Sequence, residues 1–247
     1  MVPLSISSII LMSDKIIFVD LCLFLRAPIG LQSNSKLFFM PFFYQQNINE
    51  TTHLAIWAIE EPLSFFEQDI KMVVDIQNEE RKIQHLAVRL LFKLMMPDID
   101  LSEIVIAENG KPWIPGSNFH FSFSHCKGFA AVAVSETHPI GIDIELIQER
   151  IAKVAHKFLH KQEKILIDTL APELQLKQMG FNWAAKEAMY KMYEKNGIDF
   201  SEHFNIPSLA LTAYGDLPAF IQHQGVNKQV NLSYNFGDNF VCVTCYH

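Results

Sequence analysis

Cysteine, excess positive charge and long apolar runs are all scarce in this chain, and each scarcity excludes something. Its four cysteines are Cys22, Cys126, Cys242 and Cys245, too few to staple 247 residues as a disulfide framework. A formal net charge of −7 excludes a general nucleic-acid binder, because phosphate contacts need a basic surface. The apolar stretch "IIFVDLCLFL" is broken by Asp20 and is too short to span a bilayer. No basic leader with a small-residue cleavage site precedes it. No repeat, low-complexity tract or Pro/Gly linker divides the chain. These absences fit a cytoplasmic protein with no membrane partner.

A hydrophobic content of 49% against 19% charged residues then points to a packed globular fold. Residues 1–39 stand apart, and they read as a non-native or dispensable N-terminal extension, with a weak membrane anchor as the alternative. At Met40 the stretch "MPFFYQQNINETTHLAIWAIEE" reads as the start of a domain.

Periodicity organises the chain from Met40 onward. Leu54 to Ile59 is a short strand, and Leu63 to Met72 reads as a helix. From Asn78 to Met95, Ile83, Leu86, Ala87, Leu90, Leu91, Leu94 and Met95 fall on one helical face. Asp75 or Asn78 can cap that helix and Pro97 ends it. Arg81, His85, Arg89 and Lys93 share the other face. Strands are expected at Ile104 to Ala107, in "NFHFSFS" and in "FAAVAVS". Helices are expected from Ile151 to Leu170 and from Phe181 to Tyr193. Strand patterns return in the last forty residues, through Leu209, Leu211, Phe220, Ile221, Leu232, Tyr234, Phe240, Val241 and Val243. The fold class is therefore α+β, in two halves of about 100 residues, a common domain size.

Three clusters carry chemistry. In "GIDIE", Ile140, Ile142, Ile144 and Leu146 alternate as a buried strand face, which puts Asp143 and Glu145 together on the other. Such a pair is either a wet sheet face or a site for a hard cation such as Mg²⁺. Gly141 beside it leaves room for a close approach. In "FNWAAKEAMYK", Lys186, Glu187 and Lys191 offer a third carboxylate and two cations, or else an exposed i,i+4 ion pair. In "ENGKPWIPGSNFHFSFSHCKG", Ser124, His125, Lys127 and Gly128 surround a turn suited to phosphate, and "GKP" supplies a second tight turn. Cys242 and Cys245 form a C-x-x-C in a strand-like tail. It lacks the helix start of a redox motif and the further ligands of a zinc site.

Taken in order, "NGKPW…NFHFSFSHC", "GIDIE" and "FNWAAKEAMYK" resemble the 4'-phosphopantetheinyl transferase superfamily, in its larger surfactin-type class. The likeness runs from about Glu79 to about Phe200. It implies two similar α+β halves packed as an intramolecular pseudo-dimer, with residues 40–139 as one half and 140–247 as the half that carries the metal site. It implies transfer of the 4'-phosphopantetheine arm of coenzyme A to a serine of an acyl, peptidyl or polyketide carrier protein, with release of adenosine 3',5'-bisphosphate. Mg²⁺ is the implied cofactor and a monomer the implied state.

Residue by residue, Asp143, Glu145 and Glu187 resemble the magnesium ligands, with Glu187 as the alternative base. Lys186 and Lys191 resemble cations on the pyrophosphate side. Ser124 and His125 resemble phosphate contacts, and Gly110, Lys111 and Pro112 resemble the turn against adenine. Arg81 and Arg89 stand where the family has basic residues near the nucleotide phosphates. Glu163 resembles a family glutamate of unassigned role. Cys126 departs from the pattern, standing where the family has the second serine of Ser-His-Ser. The competing readings are a metal-assisted phosphohydrolase acting on a nucleotide and a non-catalytic carrier-protein binding module.

Overall fold

The computed structural model describes residues 9–12, 15–18 and 42–247, Val73 excepted. Cys22 and most of the 1–39 segment lie outside the described residues. Within that segment β1 (Ile9–Met12) and β2 (Lys15–Phe18) pair antiparallel. The chain then alternates sheet and helix: β3 (Phe42–Asn49), β4 (Thr52–Ala58), α1 (Leu63–Asp69), α2 (Glu79–Met95), β5 (Val105–Ile106), β6 (Pro112–Trp113), β7 (His120–Cys126), β8 (Phe129–Ser135) and β9 (Gly141–Leu146). There follow α3 (Arg150–Val154), α4 (Lys161–Asp168), α5 (Pro172–Tyr193), α6 (Phe200–His203), β10 (Phe204–Asn205), β11 (Tyr214–His223), β12 (Val226–Phe236) and β13 (Phe240–Tyr246). The α+β class read from the periodicity is what this order shows.

Two sheets organise these elements. One has the order β3-β4-β8-β7, the other β10-β11-β12-β13-β9, and all their pairings are antiparallel. Strand alternation gives each sheet two faces, and both are used. Trp57, Ala130, Val132 and Phe121 pack under Leu86, Leu91 and Phe92 of α2. The Phe92 and Phe121 rings stack at 4.6 Å. The opposite face of this sheet, with Leu54, Ile56, Ala131 and Ala133, meets Ile142, Ile144, Leu146 and Cys242 of the second sheet. The far side of the second sheet, with Val241, Val243 and Cys245, is covered by Phe181, Ala184, Ala188 and Met192 of α5. The layers thus run helix, sheet, sheet, helix.

The seam between sheets also has an edge component. β7 and β9 are both outermost strands, and β9 offers unpaired N–H groups toward β7. The Ile142 and Ile144 amides donate to the Oγ atoms of Ser122 and Ser124, at 3.1 and 3.2 Å. The Leu146 amide is the hydrogen-bonding neighbour of the Cys126 sulfur, two residues further along. The Ser-x-Ser-x-Cys alternation of β7 therefore supplies acceptors at the two-residue period of the facing strand.

The structure corrects several expectations. The helix expected over 151–170 is two short ones with a break at Phe158–His160. The imidazole of His160 accepts from the Gln162 amide and Glu163 reaches back to the His160 amide, a capping box that starts α4 afresh. α5 starts at Pro172, nine residues before the expected Phe181, with proline in its first turn. Leu209 and Leu211 lie in no strand, and Leu211 is exposed. Asn78, rather than Asp75, caps α2 by accepting from the Arg81 amide. Cys242 and Cys245 are free and buried on opposite faces of β13, as a spacing of three on a strand requires. Among the described residues no helix is long and apolar enough to cross a membrane.

Candidate active site

Gly141, Asp143 and Glu145 point from β9 toward α5, so their face is covered by a helix. Asp143 is 4% exposed and Glu145 is half-buried. Gly141 makes that cover possible. A Cβ there would lie 1.9 Å from the Ala188 carbonyl oxygen and 2.8 Å from the Met192 amide. The bulky neighbour of this glycine is the α5 backbone, not a ligand.

From α5, Glu187 and Lys191 come to the same face, one turn apart. Lys191 Nζ donates to Oδ1 of Asp143 at 2.7 Å and to the Ile142 carbonyl at 3.0 Å. The Ser124 hydroxyl donates to that Oδ1 at 2.8 Å, so it holds the carboxylate while its own oxygen accepts the Ile144 amide. The other oxygen, Oδ2, is buried and has no partner among the described residues. Oε1 of Glu145 accepts from the Trp183 indole N–H at 3.1 Å. Burial, then the Asp143 charge, raises the Glu145 carboxyl above its ordinary value. The same two causes push Glu187 up to about 7. Three carboxylates thus crowd one face with too little positive charge to balance them.

A cleft of about 360 Å³ opens beside them, lined by His85, Arg89, Gly110, Pro112, His125, Asp143 and Lys191 among others. His125 is an odd-numbered β7 residue, so it leaves the strand on the α2 side, opposite Ser124. Burial and the Arg89 charge hold the His85 imidazole down at about 4. Burial alone lowers the Arg89 guanidinium to about 10, so it stays charged at neutral pH. Desolvation and the Lys191 ammonium lower His125 as well. A bound anion would favour the protonated imidazoles. An adjoining cleft of about 190 Å³ is lined by Lys111, Pro112, Glu187, Tyr190 and Lys191. The two share Gly110 and Pro112 as a wall. Gly110 holds φ +83, which lets its amide close a turn onto the Ala107 carbonyl at 2.8 Å.

The structure therefore brings together Asp143, Glu145, Glu187, Lys191, Ser124, His125, Arg89, Gly110 and Pro112. It does not bring in Lys186 or Arg81. Lys186 is 0% exposed and ion-paired with Glu163 at 2.7 Å, because one residue along a helix is a rotation of about 100° from Glu187. Arg81 is exposed in the first turn of α2 and lines neither cleft. Lys111 borders the smaller cleft, but its ammonium binds the Lys191 carbonyl at 3.0 Å and the Glu194 carboxylate, tying the turn to the end of α5. Sequence reading missed His85 as a cleft residue; its spacing of four from Arg89 was the available signal.

Among the described residues no group of three or more His, Cys, Asp or Glu side chains is gathered closely enough to hold a metal ion as placed. The donor chemistry nonetheless fits magnesium. The candidate ligands are carboxylates, and the buried Oδ2 of Asp143 lacks a partner.

Comparison with known proteins gives the chain's likenesses. Residues 139–245 match the family model of the 4'-phosphopantetheinyl transferase superfamily. A "4'-phosphopantetheinyl transferase gsp" of Aneurinibacillus migulanus is 36% identical over 88 residues, which are 36% of this chain and 36% of the relative. A "4'-phosphopantetheinyl transferase" of Bacillus subtilis is 32% identical over 91 residues, 36% of this chain and 40% of the relative. A "4'-phosphopantetheinyl transferase AcpT" of Escherichia coli (strain K12) is 32% identical over 94 residues, 37% of this chain and 48% of the relative. The chain matches less than half the length of each of these relatives. The chain is thus similar to the 4'-phosphopantetheinyl transferase superfamily over residues 139–245, which contain "GIDIE" and "FNWAAKEAMYK" but not "NGKPW…NFHFSFSHC".

Proposed function

We propose that this protein transfers the 4'-phosphopantetheine arm of coenzyme A to a carrier-protein serine and releases adenosine 3',5'-bisphosphate. The observation that carries the reading is the contact of Asp143 with Lys191 in a cleft whose wall holds His85, Arg89 and His125, with Glu187 lining the adjoining cleft and Glu145 beside Asp143 on β9. Asp143, Glu145 and Glu187 would hold Mg²⁺. When bound, the ion supplies positive charge to the pyrophosphate oxygens and so lessens their repulsion of an incoming oxygen nucleophile.

The chain's own groups do the rest. Arg89, His85 and His125 offer charge and N–H donors to the nucleotide phosphates, and Gly110 and Pro112 give a flat wall for the adenine. The serine oxygen attacks the β-phosphorus, and the bond from that phosphorus to the bridging oxygen breaks. The nucleotide leaves with that oxygen and its new charge. Lys191 lines both clefts and stabilises that charge. Glu187, in its alternative role as base rather than ligand, accepts the serine proton. Ser124 keeps Asp143 aimed at the ion throughout.

The antiparallel sheet and long helix in each of the segments 40–139 and 140–247 support the pseudo-dimeric, surfactin-type arrangement, acting as a monomer in the cytoplasm. The test is mass spectrometry of apo acyl, peptidyl and polyketide carrier proteins incubated with coenzyme A and Mg²⁺. Gain of one phosphopantetheine on serine supports the reading. Coenzyme A cleavage with no carrier present would replace it with a phosphohydrolase, and carrier binding without cleavage would replace it with a binding module.

A further inference from the structure

The Glu163–Lys186 ion pair is the most deeply buried charged contact among the described residues, with side chains 1% and 0% exposed, and the proposed transfer makes no use of it. Replacing such a pair by apolar residues often leaves stability unchanged or better, so stability alone is a weak account of it. Its hydrogen bonds show what it holds. Lys186 Nζ is shared among Oε2 of Glu163 and the carbonyls of Phe158, Phe200 and Phe204, at 2.7, 2.7, 3.0 and 2.8 Å. Glu163 Oε1 accepts the Ile206 amide and Oε2 the His160 amide. One ammonium and one carboxylate therefore fasten two segments onto α5, the break around Phe158 and the stretch Phe200–Ile206 that holds α6 and β10.

Those two segments meet again one turn back on α5. Phe158 and Phe200 give their carbonyls to Lys186 and their rings to Trp183. The ring centroids lie 5.2 and 6.0 Å from Trp183, at interplanar angles of 61° and 42°. Lys186 and Trp183 are three residues apart, hence on one helix face. The indole so held sends its N–H to Oε1 of Glu145 at 3.1 Å. The other close partner of Glu145 is Arg150, at 4.0 Å and largely exposed, a pair that orients little.

We infer that Glu163 and Lys186 are positioning residues that fix the Trp183 indole, and that Trp183 in turn aims Glu145 at the bound cation. This rests on the reading of Glu145 as a metal ligand. Outer partners of this kind orient ligating carboxylates, and their loss costs about 10–100-fold in metal affinity.

The test is Mn²⁺ titration of the full-length protein followed by electron paramagnetic resonance, beside thermal denaturation. W183F keeps a ring between Phe158 and Phe200 but loses the donor. It should weaken Mn²⁺ binding about tenfold, and excess metal should restore its turnover. The double variant E163Q/K186M removes both buried charges together and should weaken Mn²⁺ binding similarly. F66L, on the buried face of α1, should lower Tm and leave Mn²⁺ affinity unchanged. Wild-type Mn²⁺ affinity in W183F overturns the inference, whether or not the double variant folds. A wild-type protein that binds no Mn²⁺ overturns the ligand reading and the inference with it.

Discussion

Lys191 places its ammonium 2.7 Å from Oδ1 of Asp143, filling with a side chain the place where a carboxylate pair would otherwise call for an ion. The contact neutralises one of three crowded acids and leaves Oδ2 of Asp143 unpartnered. On the proposed reading, Lys191 and a divalent cation would compete for the same carboxylate. K191M should bind Mn²⁺ several-fold more tightly than the wild type, by the same resonance titration. Its transfer rate should still fall by about 10²-fold, because the leaving phosphate loses its cation.

Asp143 has no substitute in the described cleft. D143A should lower kcat/KM for carrier modification by at least about 10²–10³-fold. Circular dichroism should remain that of the wild type, since Ile142 and Ile144 hold β9 from the other face. Full magnesium-dependent activity in D143A would remove Asp143 from the site.

Ser124 and Cys126 separate two duties of β7. S124A leaves the Ile144 amide without an acceptor and removes a donor from Asp143, so a stability loss of about 1–3 kcal/mol should accompany reduced transfer. Burial, then the Glu145 charge, pushes the Cys126 thiol up to about 12, so it stays protonated and plays no acid–base part at neutral pH. C126S offers the Leu146 amide a stronger acceptor and should preserve activity at equal or slightly higher Tm. Denaturation and transfer assays on the two variants check both claims.

G141A meets backbone, which cannot step aside as a flexible side chain can. The Ala188 carbonyl 1.9 Å from the added carbon forces α5 away from β9. Urea unfolding should show a loss of about 3 kcal/mol or more, with activity lost in parallel as Glu187 withdraws from Asp143.

The acid limb of stability should carry a histidine signature. His85 titrates near 4 in the folded protein against an ordinary 6.5, so in that window the unfolded chain binds more protons. Its contribution is complete above 6.5 and is lost as pH falls toward 4. H85Q should flatten the decline of ΔG between these values by about 1 kcal/mol, after allowance for solvent screening. Urea melts at pH 7, 5.5 and 4.5 read it directly.

How much of the fold and the site was legible in the sequence depends on what each residue does. The α2 stripe, the Phe face of β7 and the Ile face of β9 obey simple periods, and those periods located them. Asp143 and Glu145 were visible as acids where a strand has no use for them. The role of Gly141 was not visible, because its neighbour is forty-seven residues away on a helix whose first turns carry no clear amphipathic pattern. Lys186 looks close to the acids because adjacency in a motif resembles adjacency in space, whereas a helix turns neighbours apart. The break at Phe158 was hidden since a histidine cap is an uncommon punctuation mark. Long-range pairings such as Lys111 with the end of α5 leave no local trace at all.

The three acceptors of β7 have a consequence for dividing this protein. Ser122, Ser124 and Cys126 close the open edge of one sheet against the open edge of the other, without a continuous backbone ladder. Expressed separately, each part would present a bare strand rim, with the serine-rich one polar and the isoleucine-rich one apolar. The segment beginning at β9 should then self-associate through that rim, while the segment ending at β8 should stay dispersed longer. Insertion of a tag or partner domain between Ser135 and Ile140 is accordingly a poorer engineering choice than insertion at the Gln224–Gly225 hairpin tip, which touches neither rim.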